Sequence, residues 1–125
     1  MTRIGRLKRR AEFLAAASAN RKWVAPGLVL QARQDETTIT SYELRLGFTA
    51  SRKVGNAVLR NRARRRLKAA AAEVLRETQV TALHTDLVLI ARPATVERDY
   101  KALKEDFRRG LKKLGVATGF PGAAS

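Results

Sequence analysis

The chain has no cysteine, one histidine, and only eleven acidic residues in 125. Without cysteine there can be no disulfide, no cysteine-ligated zinc site and no thiol nucleophile. His84 cannot form a histidine metal cluster alone and has no evident catalytic partner, so it reads as a bystander near a strand entry. No apolar run reaches the 18 residues a membrane helix needs. The N-terminus, "MTRIGRLKRRAEFLAAASA", loosely mimics a signal peptide. Glu12 interrupts it, however, and the apolar stretch from Phe13 to Ala17 is too short. A cytoplasmic protein with no membrane partner is expected.

What the sequence does have is positive charge. Twenty-six Lys and Arg against eleven Asp and Glu give a formal net charge of +15. Arginine exceeds lysine, and its planar fork suits phosphate oxygens and base stacking. Charge of this size destabilises a small compact domain by self-repulsion unless a polyanion relieves it, and nucleic acid is the commonest polyanion. Hydrophobic content is 45%, ordinary for a globular chain. The length suits one domain, 1–125, with an ordered core over 6–113 and flexible tails at 1–5 and 115–125.

Hydrophobic spacing predicts the elements. Residues 9–18 read as a short helix with Phe13, Leu14 and Ala17 on its apolar side. Residues 21–33 read as two extended pieces broken at Pro26-Gly27. In "YELRLGFTAS", Leu44, Leu46, Phe48 and Ala50 alternate with Arg45, Gly47, Thr49 and Ser51, as in a strand with one buried face. Asn56 suits an N-cap for a helix reaching about Glu77. The apolar run 86–92 reads as a buried central strand ended by Pro93. Thr95 is a candidate cap for a last helix over 96–113. The sum is an α+β fold, a single-domain α-β-β-β-α-β-α sandwich of one mixed sheet packed with helices.

The helix after Asn56 carries the functional signal. Leu59, Ala63, Leu67, Ala70 and Val74 fall on one stripe at 100° per residue. Arg60, Arg64 and Lys68 line one flank, Arg62 and Arg66 the other, with Asn61 and Arg65 between. From Arg52 to Arg76 there are nine Lys and Arg and one acid, Glu73. A solvated helix would interleave glutamates one turn away. Here the anions must come from outside, and a phosphate backbone supplies them. The helix N-terminus, with free N–H groups, adds to the attraction.

No nucleophile–base pair or carboxylate cluster capable of hydrolysis is visible. Asp35, Glu36, Asp99, Glu105 and Asp106 read as solubilising charges. No catalytic residue, protein-bound metal or small-molecule substrate is expected. A ribosomal or other structural RNA-binding protein and a DNA-binding architectural protein are the competing classes.

The block "SRKVGNAVLRNRARRRLK" closely resembles the signature of the bacterial ribonuclease P protein subunit. The matching positions are Lys53, Gly55, Asn56, Ala57 and Val58, then Arg60, Asn61 and Arg62, with Arg65 and Arg66 following. "RLKRRAEF" and "DLVLIARP" resemble the family's opening and last strand. The resemblance spans about residues 6–113 and implies the ribosomal-protein-S5-domain-2-like fold. It also implies a ribonucleoprotein endoribonuclease that removes the 5′ leader of precursor tRNA, with a Mg²⁺-dependent catalytic centre in its RNA subunit. The protein would bind that RNA through Arg52, Lys53, Asn56, Arg60, Asn61, Arg62, Arg64, Arg65, Arg66 and Lys68. The leader would lie in a cleft between the first helix and the sheet, at Phe13, Ala17, Gln31, Arg45, Thr49 and Ser51. Phe13 matches a family position that stacks on leader bases; from the residues alone, core packing is an equal reading. Ala17 and Gln31 stand where the family often has aromatics. Trp23 is either their substitute or a packing residue at the sheet edge.

Overall fold

The computed structural model describes residues 4–19, 21–34, 44–80 and 84–118. Asp35 and Glu36 lie outside them. A five-stranded mixed sheet contains β1 (Ile4–Arg6), β2 (Lys22–Val24), β3 (Leu28–Gln34), β4 (Leu44–Thr49) and β6 (Thr85–Ala91) in the order β1-β4-β6-β3-β2. β6 is central, parallel to β4 and antiparallel to β3. β5 (Gln79–Val80) and β7 (Ala117–Thr118) form a small separate ladder.

One face of the sheet is covered by α2 (Ala57–Glu77) and α3 (Tyr100–Lys113). Leu28, Leu30, Leu44, Leu87 and Leu89 point into that layer and are fully buried. The stripe on α2 packs there as its spacing predicts, with Ala63, Leu67, Ala70 and Val74 buried and Leu59 partly so. From α3 come Leu103, Phe107 and Leu111. Gly110 lets α3 approach closely, because a Cβ there would run into Leu30 and Trp23. Among the described residues, the opposite face carries only α1 (Arg10–Ser18), over a small cluster of Leu7, Ala16 and Val88 with Phe13 and Ile90 beside it. β6 is buried on both sides because it lies centrally, between the two layers.

The fold class agrees with the sequence reading, but the element list is longer. Ile4, Gly5 and Arg6, divided between tail and core in the sequence reading, form β1, parallel to β4. Ala117 and Thr118, expected in a frayed tail, pair with Gln79 and Val80. Such strands are too short to leave a periodic pattern. On α1 the buried residue is Ala16, whereas Leu14 is 56% exposed.

One capping assignment and two charge assignments also need correction. Thr95 does not cap the last helix. It sits in a 3₁₀ turn, Pro93–Val96, where its buried hydroxyl donates to the Gly27 carbonyl (2.5 Å) and accepts from the Arg92 N–H (2.8 Å). Asp99 is the N-cap of α3, accepting from the Ala102 N–H (3.1 Å). Asp106 is no solubilising charge either. It is 3% exposed and accepts from the Gly27 N–H (3.0 Å) and Arg98 Nε (2.5 Å). Thr95 and Asp106 therefore fasten the Pro26-Gly27 break from both sides.

Asp106→Ala removes the acceptor for three donors, the Gly27 N–H and two nitrogens of Arg98, and should cost roughly 1–3 kcal/mol of stability. Urea unfolding of the variant beside the parent measures it. An unchanged midpoint would mean that water replaces the carboxylate at no cost.

Candidate nucleic-acid interface

α2 is placed by its apolar stripe and by its cap. The Asn56 side chain accepts from the Leu59 N–H (3.0 Å), which fixes the first turn. Gly55, at φ 143°, makes the turn that aims the helix away from β4. Outward from the stripe, Arg52, Lys53, Arg62, Arg65 and Lys68 are exposed, and none forms an ion pair with a carboxylate among the described residues. Asn61 is exposed beside them and accepts a hydrogen bond from Arg64. Arg60 is half-buried, with its Nε unpartnered.

Arg66 differs from its neighbours. Its guanidinium folds back onto the 3₁₀ turn, donating to the carbonyls of Thr95 (2.8 Å), Val96 (3.0 Å) and Arg98. With three carbonyls filling the fork, Arg66 ties α2 to the loop before α3. The helix period put it on the flank among the arginines offered to a polyanion; the tertiary contact shows that its guanidinium turns toward this loop.

The second surface is a groove of about 430 Å³ between α1 and the open sheet face. Phe13, Ala17, Gln31 and Thr49 line it, as the sequence reading grouped them. Arg10 and Leu14 on α1 join them, and Val88 and Ile90 form part of the floor. Phe48 on β4 also lines it, and sequence reasoning missed these five. The continuous apolar run of β6 hid that its alternate residues face a groove, and Arg10 was lost among so many basic residues.

Phe13 serves both readings at once. Its ring rests over Gly47, where a Cβ would sit 2.6 Å from Cε1 and 2.9 Å from Cζ. The rest of the side chain stays half-exposed and forms part of the groove wall.

Trp23 is not a groove aromatic. It pairs in register with Leu30, which points into the α2–α3 layer, and packs there with Lys113 6.0 Å from its ring centroid. On the groove side, Lys22 pairs with Gln31 and is exposed.

Arg45 and Ser51 lie outside the groove walls. Ser51 is in the turn before α2, where its Oγ accepts from the Lys53 N–H (3.3 Å). Arg45 faces α1, as alternation predicts, but it is not free to meet phosphate. Asp86, 3% exposed on β6, takes its Nε and Nη2 at 2.8 and 2.9 Å. Glu12 on α1 takes Nη1 at 2.6 Å. The other Glu12 oxygen accepts from the N–H groups of Lys8 and Arg9 (3.1 and 2.9 Å), closing the start of α1. The Arg9 N–H, followed by Lys8 and Arg45, holds the Glu12 carboxyl below the usual carboxylate range, against desolvation that pushes it up. Bonding to Asp86 raises the Arg45 pKa, so Arg45 stays charged.

These features define a class: a small, strongly cationic α+β protein, its mixed sheet covered by helices on one face and grooved on the other. The family profile described as Ribonuclease P matches residues 1–115. The ribonuclease P protein component of Paramagnetospirillum magneticum is 49% identical over 115 residues, covering 91% of this chain and 85% of that protein. That of Gluconacetobacter diazotrophicus is 53% identical over 116 residues, covering 91% and 94%. Among solved structures, the Staphylococcus aureus RNase P protein matches with TM-score 0.69 at 23% identity, over 89% of this chain and 95% of that one. The Thermotoga maritima RNase P protein gives 0.65 at 21%, over 83% and 92%. These structural matches speak to the fold. The chain belongs to the ribonuclease P protein component family, the protein part of a ribonucleoprotein endoribonuclease of tRNA processing, and membership implies an RNA partner.

Glu12→Gln should loosen α1 at neutral pH, by about 1 kcal/mol in thermal or urea unfolding. The folded-state pKa of Glu12 is depressed, so its contribution is present above the ordinary value of 4.5 and disappears as pH falls through the folded value. The parent and the variant should therefore differ at pH 7 and converge as pH falls below the depressed folded value. A gap that persists there would assign the loss to shape and not to charge.

Proposed function

We propose that this chain is the protein subunit of a cytoplasmic ribonuclease P. It binds the catalytic RNA subunit along α2 and the 5′ leader of precursor tRNA in the α1 groove. The observation that carries this reading is the run from Arg52 to Lys68, where exposed cations stand on a firmly anchored helix without carboxylate partners. The RNA-contacting set is Arg52, Lys53, Arg60, Asn61, Arg62, Arg64, Arg65 and Lys68. Asn56 shapes the helix start through its cap, and Arg66 braces the helix from behind.

Hydrolysis belongs to the RNA in this reading, with Mg²⁺ supplied to the RNA-based centre. Among the described residues no group of three or more His, Cys, Asp or Glu side chains could hold a metal ion. The same residues contain no helix long and apolar enough to cross a membrane. In the groove, Phe13 offers a ring face to an unpaired base, while Arg10 and Lys22 offer charge to the phosphates. Stacking tolerates any base, which suits leaders of varied sequence. Ala17 and Gln31 put no aromatic at those two positions, and Phe48, the other aromatic of the lining, is packed against the core, so Phe13 carries the stacking.

Changing Arg62 and Arg65 together to Ala should leave the melting temperature unchanged. It should lower affinity for the RNA subunit and reduce the salt slope by about one per arginine. Arg66→Ala should do the reverse, lowering the melt while leaving the slope nearly intact. A flattened slope in Arg66→Ala alone would exchange the two roles.

The groove is tested by Phe13→Leu, which keeps bulk over Gly47 and removes the stacking face. Binding of precursor tRNA to the assembled enzyme should weaken by roughly 1–3 kcal/mol, and binding of mature tRNA should hardly change. Equal losses for both tRNAs, with a lowered melt, would make Phe13 a packing residue only.

A further inference from the structure

A larger groove, of about 970 Å³, lies on the far side of the sheet edge, between β1, α2 and β5. Its apolar surface comes from Phe48, Leu75 and Val80 among others, and its charged side chains are Arg6, Lys68 and Arg76. No acidic residue is among the described residues that line it. Arg6 and Lys68 form no ion pair among the described residues, and Arg76 donates only to the Ala72 carbonyl one turn back (3.2 Å). Glu73, the acid nearest Arg76 on the helix, is taken by Lys104 at 3.2 Å.

The helix period connects this groove to the cationic surface. Arg60, Arg64, Lys68, Ala72 and Arg76 recur every four residues along one ridge of α2, which winds about 160° round the helix from first to last. The ridge starts at the proposed RNA face and ends in the groove, where Ala72 leaves room. Inside, the Arg6 guanidinium lies 5.4 Å from the centroid of the Phe48 ring, a planar cation on an aromatic face. The hydroxyl of Thr78 is buried in the wall with no hydrogen-bond partner among the described residues. Convergent cations, a planar stacking surface and an orphan hydroxyl are the requirements of one ligand chemistry, a phosphate attached to a flat aromatic ring.

We propose that this groove is a nucleotide subsite. It takes one unpaired nucleotide of the RNA that lies along α2, with the base against Arg6 and Phe48 and the phosphate among Arg6, Lys68 and Arg76. The proposal rests on the reading of α2 as an RNA-binding helix and extends that surface by two helical turns and one strand.

The probe is adenosine 5′-monophosphate, titrated into the isotope-labelled full chain and followed by NMR beside inorganic phosphate and adenosine. The monophosphate should shift the resonances of Leu75, Gln79 and Val80 and bind about tenfold or more tightly than either fragment, as stacking added to charge requires. Arg6→Ala combined with Arg76→Ala should abolish the difference. In the reconstituted enzyme, a photoreactive benzophenone side chain placed at Gln79 should crosslink to an unpaired nucleotide of the RNA subunit. The same group placed at Val58, 71% exposed in the first turn of α2, reports on the RNA face itself. Phosphate binding as well as the monophosphate, or crosslinks from Val58 with none from Gln79, would overturn the subsite and leave the α2 reading standing. Absence of crosslinks from both positions would bring down the two together.

Discussion

The geometry of the open sheet face depends on one buried carboxylate. Asp86 sits on the central strand, and Arg45 on the neighbouring strand neutralises it. A charge this buried would be costly without its partner. Arg45 has one nitrogen left, and Glu12 takes it. The pairing required by β6 therefore extends outward and fixes the first turn of α1 over the sheet. α1 buries little on its own account, since Ala16 is its one fully buried side chain. Held by this bridge, the helix can leave Phe13 half-exposed and keep a groove beside it open. A helix placed by apolar burial alone would have had to close that gap.

Gly47 and Gly110 have a similar effect on opposite faces. Each is a site where a Cβ has no room, so each sets how near a helix comes to the sheet. At Gly110, α3 descends until Trp23 and Leu30 are covered. At Gly47, the ring of Phe13 descends until one side is packed and the other is left free. Phe13 is thus both a packing residue and a wall of the groove, and the choice between core and surface posed by the sequence does not arise in the fold.

Much of this was legible in the residues. The α2 stripe, the Asn56 cap, the end of α2 at Glu77 and the central position of β6 follow from periodicity and turn chemistry. So does the grouping of Phe13, Ala17, Gln31 and Thr49, once the resemblance supplied the cleft. What escaped were contacts between residues far apart in the chain. Nothing near Arg66 announces the carbonyls of Thr95, Val96 and Arg98. Nothing near Asp106 announces Gly27. Arg45 was placed on the correct face, but its acceptors lie 33 and 41 positions away. Short strands such as β1, β5 and β7 are equally hidden, because two or three residues cannot display a period.

The fate of the basic residues shows how this fold manages its charge. Cations that brace the structure, namely Arg45, Arg66 and Arg98, are each given acceptors inside it: carboxylates for two, backbone carbonyls for the third. With eleven acids in the chain, few carboxylates are available for the rest. Among the described residues, cations without a carboxylate partner are densest on α2, an element that the core and the braces hold rigid. Rigid placement makes their mutual repulsion unavoidable, since the side chains' backbones cannot move apart. It also means that a polyanion arriving there need not order the surface first, and relief of the repulsion adds to the attraction. The internal braces thus keep the domain folded while its outer charges stay available to an RNA backbone.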